Sequence, residues 1–254
     1  MADPVLSPPV LSTDKISKSF GGLKAVRDVT IALHVHELHA VIGPNGAGKS
    51  TFVNLLTGQL APTTGRLFLE GRDITGTPAH RMPAMGIARS FQRTNILKSL
   101  SVLENVRLAV QAVKLPAASV FGAPAKQPHL VELARRCIAR VGLTGHEGTV
   151  CGLLSHGAQR QLEIAMALAV DPKVLLLDEP LAGMGQEEGE RMAELLRALA
   201  KEHAVLLIEH DMDFVFKVAD VMTVLVEGAV LATGKPADVR SNAAVQTAYL
   251  GGGA

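Results

Sequence analysis

The residues between Gly43 and Thr51 carry the clearest chemical pattern in the chain. They are Gly43, Pro44, Asn45, Gly46, Ala47, Gly48, Lys49, Ser50 and Thr51, and they match the spacing G-x-x-x-x-G-K-[ST]. In such a loop the backbone N–H groups wrap nucleotide phosphates, the lysine reaches the β- and γ-phosphates, and the following hydroxyl ligates Mg²⁺. The pattern therefore predicts that this loop binds a nucleoside triphosphate. A glycine-rich turn with a chance lysine is the alternative, and the length of the match disfavours it.

Two adjacent acids, Asp178 and Glu179, follow the apolar run 174–177. Hydrolysis of a γ-phosphate needs a metal ion, a positioned water and compensation of the developing charge. Asp178 is suited to hold Mg²⁺ through water, and Glu179 to orient or deprotonate the attacking water. The alternative is a solvated strand end. Together with the phosphate-binding loop, the acids predict a hydrolytic site.

Three further side chains are weaker candidates when each is considered alone. His210 follows another apolar run, where its imidazole is placed to contact a γ-phosphate. Gln92 is suited to bind Mg²⁺ and water. Phe20 precedes a Gly21-Gly22 turn and offers an adenine-stacking surface, although an ordinary core phenylalanine explains it almost as well.

The surrounding segments indicate an α/β fold that positions these side chains. The apolar segment 39–42 is predicted to be a buried strand and 51–56 a helix, so the loop meets a helix N-terminus, where N–H groups and the helix dipole attract anions. The runs 173–178 and 204–209 suit parallel strands that are buried on both faces. Their polar ends would meet at the ligand-binding edge of the sheet.

The other segments predict two smaller parts around this sheet. Strand-like patterns at 10–33 and 66–70 indicate a small β-rich layer. Helical spacing at 102–113 and 130–141 predicts an inserted helical subdomain at about 87–165. Residues 1–9 are proline-rich and are predicted to be disordered. A helix from Ser155, a helix around 192–199 and a hairpin at 221–232 complete the prediction of a single domain over 10–250.

The composition excludes several classes of protein. The net charge of +1 and the scarcity of aromatic residues (no Trp, one Tyr, seven Phe) argue against nucleic-acid binding. The two cysteines, Cys137 and Cys151, have no metal-binding spacing and are expected to be idle thiols in a reducing compartment. No signal peptide and no membrane helix are predicted, so we expect a cytosolic protein that is able to dock on a membrane protein.

Taken in order, these motifs resemble the ATP-binding subunit of an ABC transporter over roughly residues 10–250. The resemblance rests on the phosphate-binding loop, Gln92, the segment Leu154-Ser155-His156-Gly157, the segment 175–180 and His210. It implies an ABC-type ATPase of the P-loop NTPase class, with a small antiparallel β-subdomain and an inserted α-helical subdomain. It also implies ATP and Mg²⁺ as cofactors, with the metal at Ser50, Gln92 and Asp178.

The same resemblance implies that Ser155, His156 and Gly157 begin a helix that faces the γ-phosphate of ATP on another subunit. Helix-terminal N–H groups would then supply the anion contact in trans, and hydrolysis would require a dimer that sandwiches two nucleotides. The chain departs from the family pattern at His156, where a glycine is usual, at Ala158, where a polar residue is usual, and at Met166, where an arginine is common.

Several stretches are similar to one branch of this family, the ATP-binding subunits of branched-chain amino acid importers; they are 18–26, 86–92, 103–106, 182–184 and 248–251. This similarity implies two transmembrane permeases, a second similar ATPase subunit or a second copy of this chain, and indirectly a periplasmic solute-binding protein. It places the chain peripherally on the cytoplasmic face of the inner membrane. The alternatives are the ATPase of an exporter or a lipopolysaccharide transporter, an ABC ATPase of DNA repair or translation, and a P-loop kinase or GTPase.

Overall fold

The computed structural model describes residues 8–90, 96–114 and 128–250. Of the predicted disordered segment 1–9, residues 1–7 lie outside this description, and Pro8 and Pro9 belong to no helix or strand. Gln92 and residues 115–127 also lie outside the described residues.

The first sheet is small and antiparallel, as the sequence predicts. Its strands are β1 (Leu11–Phe20), β2 (Leu23–Val29), β3 (Ala32–Leu33), β5 (Thr64–Leu69) and β6 (Arg72–Asp73). They lie in the order β2-β1-β5-β6, with β3 also paired to β1. The turn between β1 and β2 uses Gly21 at φ +57°, a left-handed conformation that glycine adopts without strain.

The second sheet contains β4 (Leu38–Ile42), β7 (Ile87–Arg89), β8 (Val174–Asp178), β9 (Ala204–Ile208), β10 (Val221–Val226) and β11 (Ala229–Gly234). These six strands lie in the order β11-β10-β4-β9-β8-β7. All neighbouring pairs are parallel except β10 and β11, which form the predicted antiparallel hairpin. Every residue of β4, β8 and β9 is buried, which explains their continuous apolar sequences.

Helices lie on both faces of the second sheet. They are α1 (Lys49–Leu56), α2 (Val102–Lys114), α3 (Pro128–Arg140), α4 (His156–Leu168), α5 (Gln186–Ala200), α6 (Met212–Val218), α7 (Pro236–Ser241) and α8 (Ala243–Leu250). Helices α2, α3 and α4 pack on one another and form the helical group, which shares one apolar core with a face of the sheet. The other face of the sheet packs against α1 and the small sheet.

One boundary differs from its predicted position. The helical insertion was expected to begin near residue 87, but residues 87–89 form β7 and pair with β8 in the large sheet. The first described helix of the insertion is α2, which begins at Val102. A three-residue strand shows no periodicity, so its pairing partner could not be identified from the local sequence.

Candidate functional site

The loop between β4 and α1 is held by contacts with β2 and with the turn between β10 and β11. Gly48 precedes α1 at φ +94°, and a Cβ atom there would lie 2.3 Å from the Ala25 carbonyl oxygen. The Gly228 N–H donates to the Ala47 carbonyl at 3.0 Å, and the Ala47 N–H donates to the Pro44 carbonyl at 3.1 Å. These contacts hold the loop against its neighbours, and glycine at position 48 permits the close approach of β2.

Lys49 places its ammonium group on this loop. Its Nζ donates to the Gly43 carbonyl at 2.6 Å and to the Pro44 carbonyl at 3.0 Å. Burial lowers the pKa of Lys49, and the nearby carboxylates of Glu179 and Asp178 oppose that shift. This half-buried ammonium on the groove wall is well suited to bind phosphate oxygens.

An open groove of about 790 Å³ lies over the loop, a size typical of ligand-binding pockets. The first part of β2, the loop and the start of α1 form most of its wall, and Gly22, Glu179 and Glu227 complete it. The lining residues are Gly22, Leu23, Lys24, Ala25, Arg27, Asn45, Gly46, Ala47, Gly48, Lys49, Ser50, Thr51, Glu179 and Glu227.

Asp178 lies at the end of β8 and is buried in an ion pair that the sequence did not reveal. Its Oδ2 accepts a hydrogen bond from Arg89 at 2.9 Å, and Arg89 also donates to Asn54 Oδ1 at 2.6 Å. The side chains of Arg89 and Asp178 are 12% and 4% exposed. Because Arg89 ends β7 and Asn54 lies on α1, this network joins three elements beneath the phosphate-binding loop.

Glu179 has a strained backbone. Its φ is +48°, a left-handed conformation that costs a non-glycine residue about 1–3 kcal/mol. Its N–H donates to the Ile208 carbonyl at 2.9 Å, and its Oε1 lies 3.9 Å from His210 Nδ1. The His210 side chain is 66% exposed. The structure therefore brings Glu179 and His210 together beside the groove.

Glu209 is a further residue of this site that the sequence analysis missed. It is 1% exposed, and it accepts backbone N–H bonds from Leu181 at 3.0 Å and from His210 at 3.2 Å. Burial raises the pKa of Glu209, partly opposed by these two hydrogen bonds. The sequence marks Glu209 only by its place directly before the candidate His210. Its hydrogen-bond partners are backbone N–H groups, which no residue type reveals.

Ser155, His156 and Gly157 form the start of α4, and none of them lines the groove. Ser155 caps the helix by accepting the Ala158 N–H at 3.2 Å, and its hydroxyl donates to Glu188 Oε1 at 2.9 Å. His156 is exposed and lies beside Gly183. The Glu188 carboxylate also lies close to Gly157, so an acidic side chain stands against this helix N-terminus.

Phe20 is not brought into contact with the groove. Its ring is 47% exposed, and the Lys18 ammonium lies 5.3 Å from the ring centroid. Gly22, from the turn after Phe20, and Leu23, the first residue of β2, do line the groove. Both cysteines are buried and unpaired.

Comparison with known proteins places this arrangement in a family. A family model described as "ABC transporter" matches residues 26–182, and a second, "Branched-chain amino acid ATP-binding cassette transporter", matches 229–254. The high-affinity branched-chain amino acid transport ATP-binding protein BraF of Pseudomonas aeruginosa is 38% identical, with 97% of this chain and 99% of BraF covered. LivG of Escherichia coli, which carries the same description, is 37% identical over 97% of this chain and 99% of its own length.

A solved structure gives the same result for the fold. The ADP conformation of an ATP-binding cassette of an ABC transporter superimposes with a TM-score of 0.85 at 31% identity, covering 96% of this chain and 100% of the other. The predicted fold class is thus confirmed, and the groove over Lys49 lies at the phosphate-binding loop of a nucleotide-binding fold. The chain belongs to the ABC transporter family, as one of its ATP-hydrolysing cassettes.

Proposed function

We propose that this chain powers the import of branched-chain or related amino acids by binding and hydrolysing ATP in the groove over Lys49. The observation that carries the proposal is that the Lys49 ammonium and the Glu179 carboxylate line one groove, with the His210 imidazole 3.9 Å from Glu179. A phosphate bound by the loop would lie next to both Glu179 and His210.

Two oxygen donors near the groove suit Mg²⁺, although only one of them, Ser50, is among the lining residues. Ser50 lines the groove with a hydroxyl, and Asp178 offers carboxylate oxygen, which is the ligand type that Mg²⁺ prefers. Arg89 bonds to Asp178 Oδ2, and the carboxylate has a second oxygen, Oδ1. We propose Ser50 and Asp178 as metal ligands, together with Gln92, which lies outside the described residues. The metal would neutralise charge on the β- and γ-phosphates.

Glu179 is proposed to act on the attacking water. As the water oxygen bonds to the γ-phosphorus, the bond from that phosphorus to the β-phosphate oxygen breaks and ADP leaves. Glu179 orients the water and accepts its proton, while His210 and Lys49 bind the charged γ-phosphate. The short separation of Glu179 and His210, 3.9 Å between Oε1 and Nδ1, supports placing both at one phosphate.

Ser155, His156 and Gly157 are proposed to complete the site of another subunit. A helix N-terminus attracts anions, and none of these three residues lines the groove of its own chain. ATP would then join two cassettes, either two copies of this chain or this chain and a second similar ATPase. Closure on ATP and opening after hydrolysis would drive transport.

The relatives' names support the amino-acid substrate. We propose two transmembrane permeases and an indirect link to a periplasmic solute-binding protein. Among the described residues no helix is both long and apolar enough to cross a membrane. Attachment to the cytoplasmic face of the inner membrane would therefore depend on the permeases. A cavity of about 200 Å³ between β7 and the helical group, lined by residues that include Ala88, Ala109 and Met166, is one place for such contact.

Affinity isolation from detergent-solubilised native membranes, followed by mass spectrometry, tests this assignment. We expect two permeases and a second, similar ATPase to accompany the chain. A self-dimer with a single permease would contradict the importer assignment and favour an exporter-type system. Recovery only from the soluble fraction would contradict a transport function.

A further inference from the structure

We propose that Glu209 is a positioning residue that holds Glu179 and His210 in the geometry required for hydrolysis. The inference rests on the proposed function, because it assigns Glu209 a role in the same reaction. It adds a third acid to the site, one that lies beneath the reacting groups and acts through them.

The first observation is the pair of loops that Glu209 connects. Its Oε1 accepts the N–H of Leu181, two residues after Glu179, at 3.0 Å. Its Oε2 accepts the N–H of His210 at 3.2 Å. One buried carboxylate therefore joins the segment after β8 to the segment after β9.

The second observation is the backbone strain at Glu179. A left-handed conformation persists in a residue with a side chain only where neighbouring groups hold it. Here the Glu179 N–H is bonded to the Ile208 carbonyl, and Leu181 is bonded to Glu209. Both anchors come from the end of β9, so loss of the Glu209 bond frees one side of the strained turn.

The third observation is the position of the His210 ring. Its Nδ1 lies 3.8 Å from Glu209 Oε2 and 3.9 Å from Glu179 Oε1. The Nδ1 edge of the ring thus faces two carboxylates, which leaves the Nε2 edge for a phosphate. Removal of Glu209 would remove one of the two charges that orient this ring.

A carboxylate does something here that a neutral side chain of the same size cannot do. Its two oxygens each accept a separate backbone N–H, whereas a glutamine has one oxygen and would turn its NH₂ group against the other N–H. The buried charge is costly to maintain, and its raised pKa reflects that cost. The geometry therefore favours a functional requirement for Glu209 over a general contribution to packing.

The test compares Glu209→Gln with wild type in the assembled complex purified with its native partners. We expect kcat for ATP hydrolysis to fall about 10-fold or more, with KM for ATP within about twofold, because the ATP-binding loop is untouched. Glu202→Gln is the matched control, since Glu202 is exposed and pairs with Arg140 away from the groove. It should change neither constant.

An unchanged kcat in Glu209→Gln would overturn the inference, as would an altered KM or melting temperature with kcat preserved. If the variant does not fold, amide hydrogen exchange in the wild-type chain provides the test. The Leu181 and His210 amides should then exchange slowly although both lie outside helices and strands, and rapid exchange would overturn the inference.

Glu179→Gln, measured in the same assay, separates the two hypotheses. If that variant hydrolyses ATP normally, the proposed catalytic function itself fails. If it is inactive while Glu209→Gln retains full kcat, the proposed function stands and only the role of Glu209 is contradicted.

Discussion

At the scale of single residues, the site depends on charged groups whose positions are fixed by hydrogen bonds. Lys49 is fixed by two loop carbonyls, and Asp178 by Arg89. Charges in such places interact more strongly than charges on the surface, and removing one partner leaves the other buried and unpaired.

Lys49→Ala should lose affinity for ATP. The proposed charge-assisted contacts of the ammonium with phosphate would each contribute about 1.5–3 kcal/mol, so Kd for ATP should rise at least about 10-fold. Isothermal titration calorimetry measures this directly. Lys173→Ala is the control, because Lys173 forms an exposed ion pair with Glu70. Equal affinities in the two variants would show that Lys49 does not bind phosphate.

Arg89→Met should destabilise the chain by about 3–5 kcal/mol, because it leaves the Asp178 carboxylate buried without this partner. The free energy of unfolding in urea measures the loss. Arg136→Met is the matched control, since its ion pair with Glu132 is exposed, and the expected loss there is below about 1 kcal/mol. Similar losses for both variants would contradict the importance of the buried network.

At the scale of elements, the phosphate-binding loop depends on close contact with its neighbours. Gly48→Ala should abolish ATP binding, because the new methyl group would lie 2.3 Å from the Ala25 carbonyl oxygen in a backbone conformation that favours glycine. Gly76→Ala is the control, with a similar φ of +74° and open space around it. It should bind ATP as wild type does. Binding of a fluorescent ATP analogue distinguishes the two variants.

The sequence was most informative about elements with strong local patterns. Strands β4, β8 and β9 were predictable because all their residues are buried, and the phosphate-binding loop because its chemistry requires a fixed spacing. The Arg89–Asp178 pair was not predictable, since 89 residues separate its members and nothing local marks them as partners. The role of Glu209 was hidden for a related reason: the groups that it binds are backbone amides, which carry no sequence signal.

At the scale of the whole molecule, His203 links the helical group to the core. Its ring nitrogens contact the Pro172 carbonyl at 2.6 Å and Arg140, at the end of α3, at 2.8 Å. Burial lowers the pKa of His203 below its ordinary value of 6.5, the Pro172 carbonyl opposes the shift, and Arg140 adds to it. The fold therefore favours the neutral form of this imidazole over the protonated form.

Stability should therefore decrease as the pH falls below about 6.5, because the unfolded chain then takes up a proton that folded His203 resists. His203→Gln should remove this part of the pH dependence. Urea unfolding of both proteins between about pH 7.5 and 5.5 measures it as a difference in slope. Parallel curves for the two proteins would contradict the account of His203.

The most direct test of the proposed function is ATP-driven uptake of a labelled branched-chain amino acid into vesicles containing the chain and its native permeases. Wild type should accumulate the amino acid. Glu179→Gln should bind ATP with unchanged affinity, yet lose uptake and hydrolysis together by at least about 100-fold. Uptake at the wild-type rate in this variant, or the absence of any ATP-dependent uptake by wild type, would contradict the proposed function.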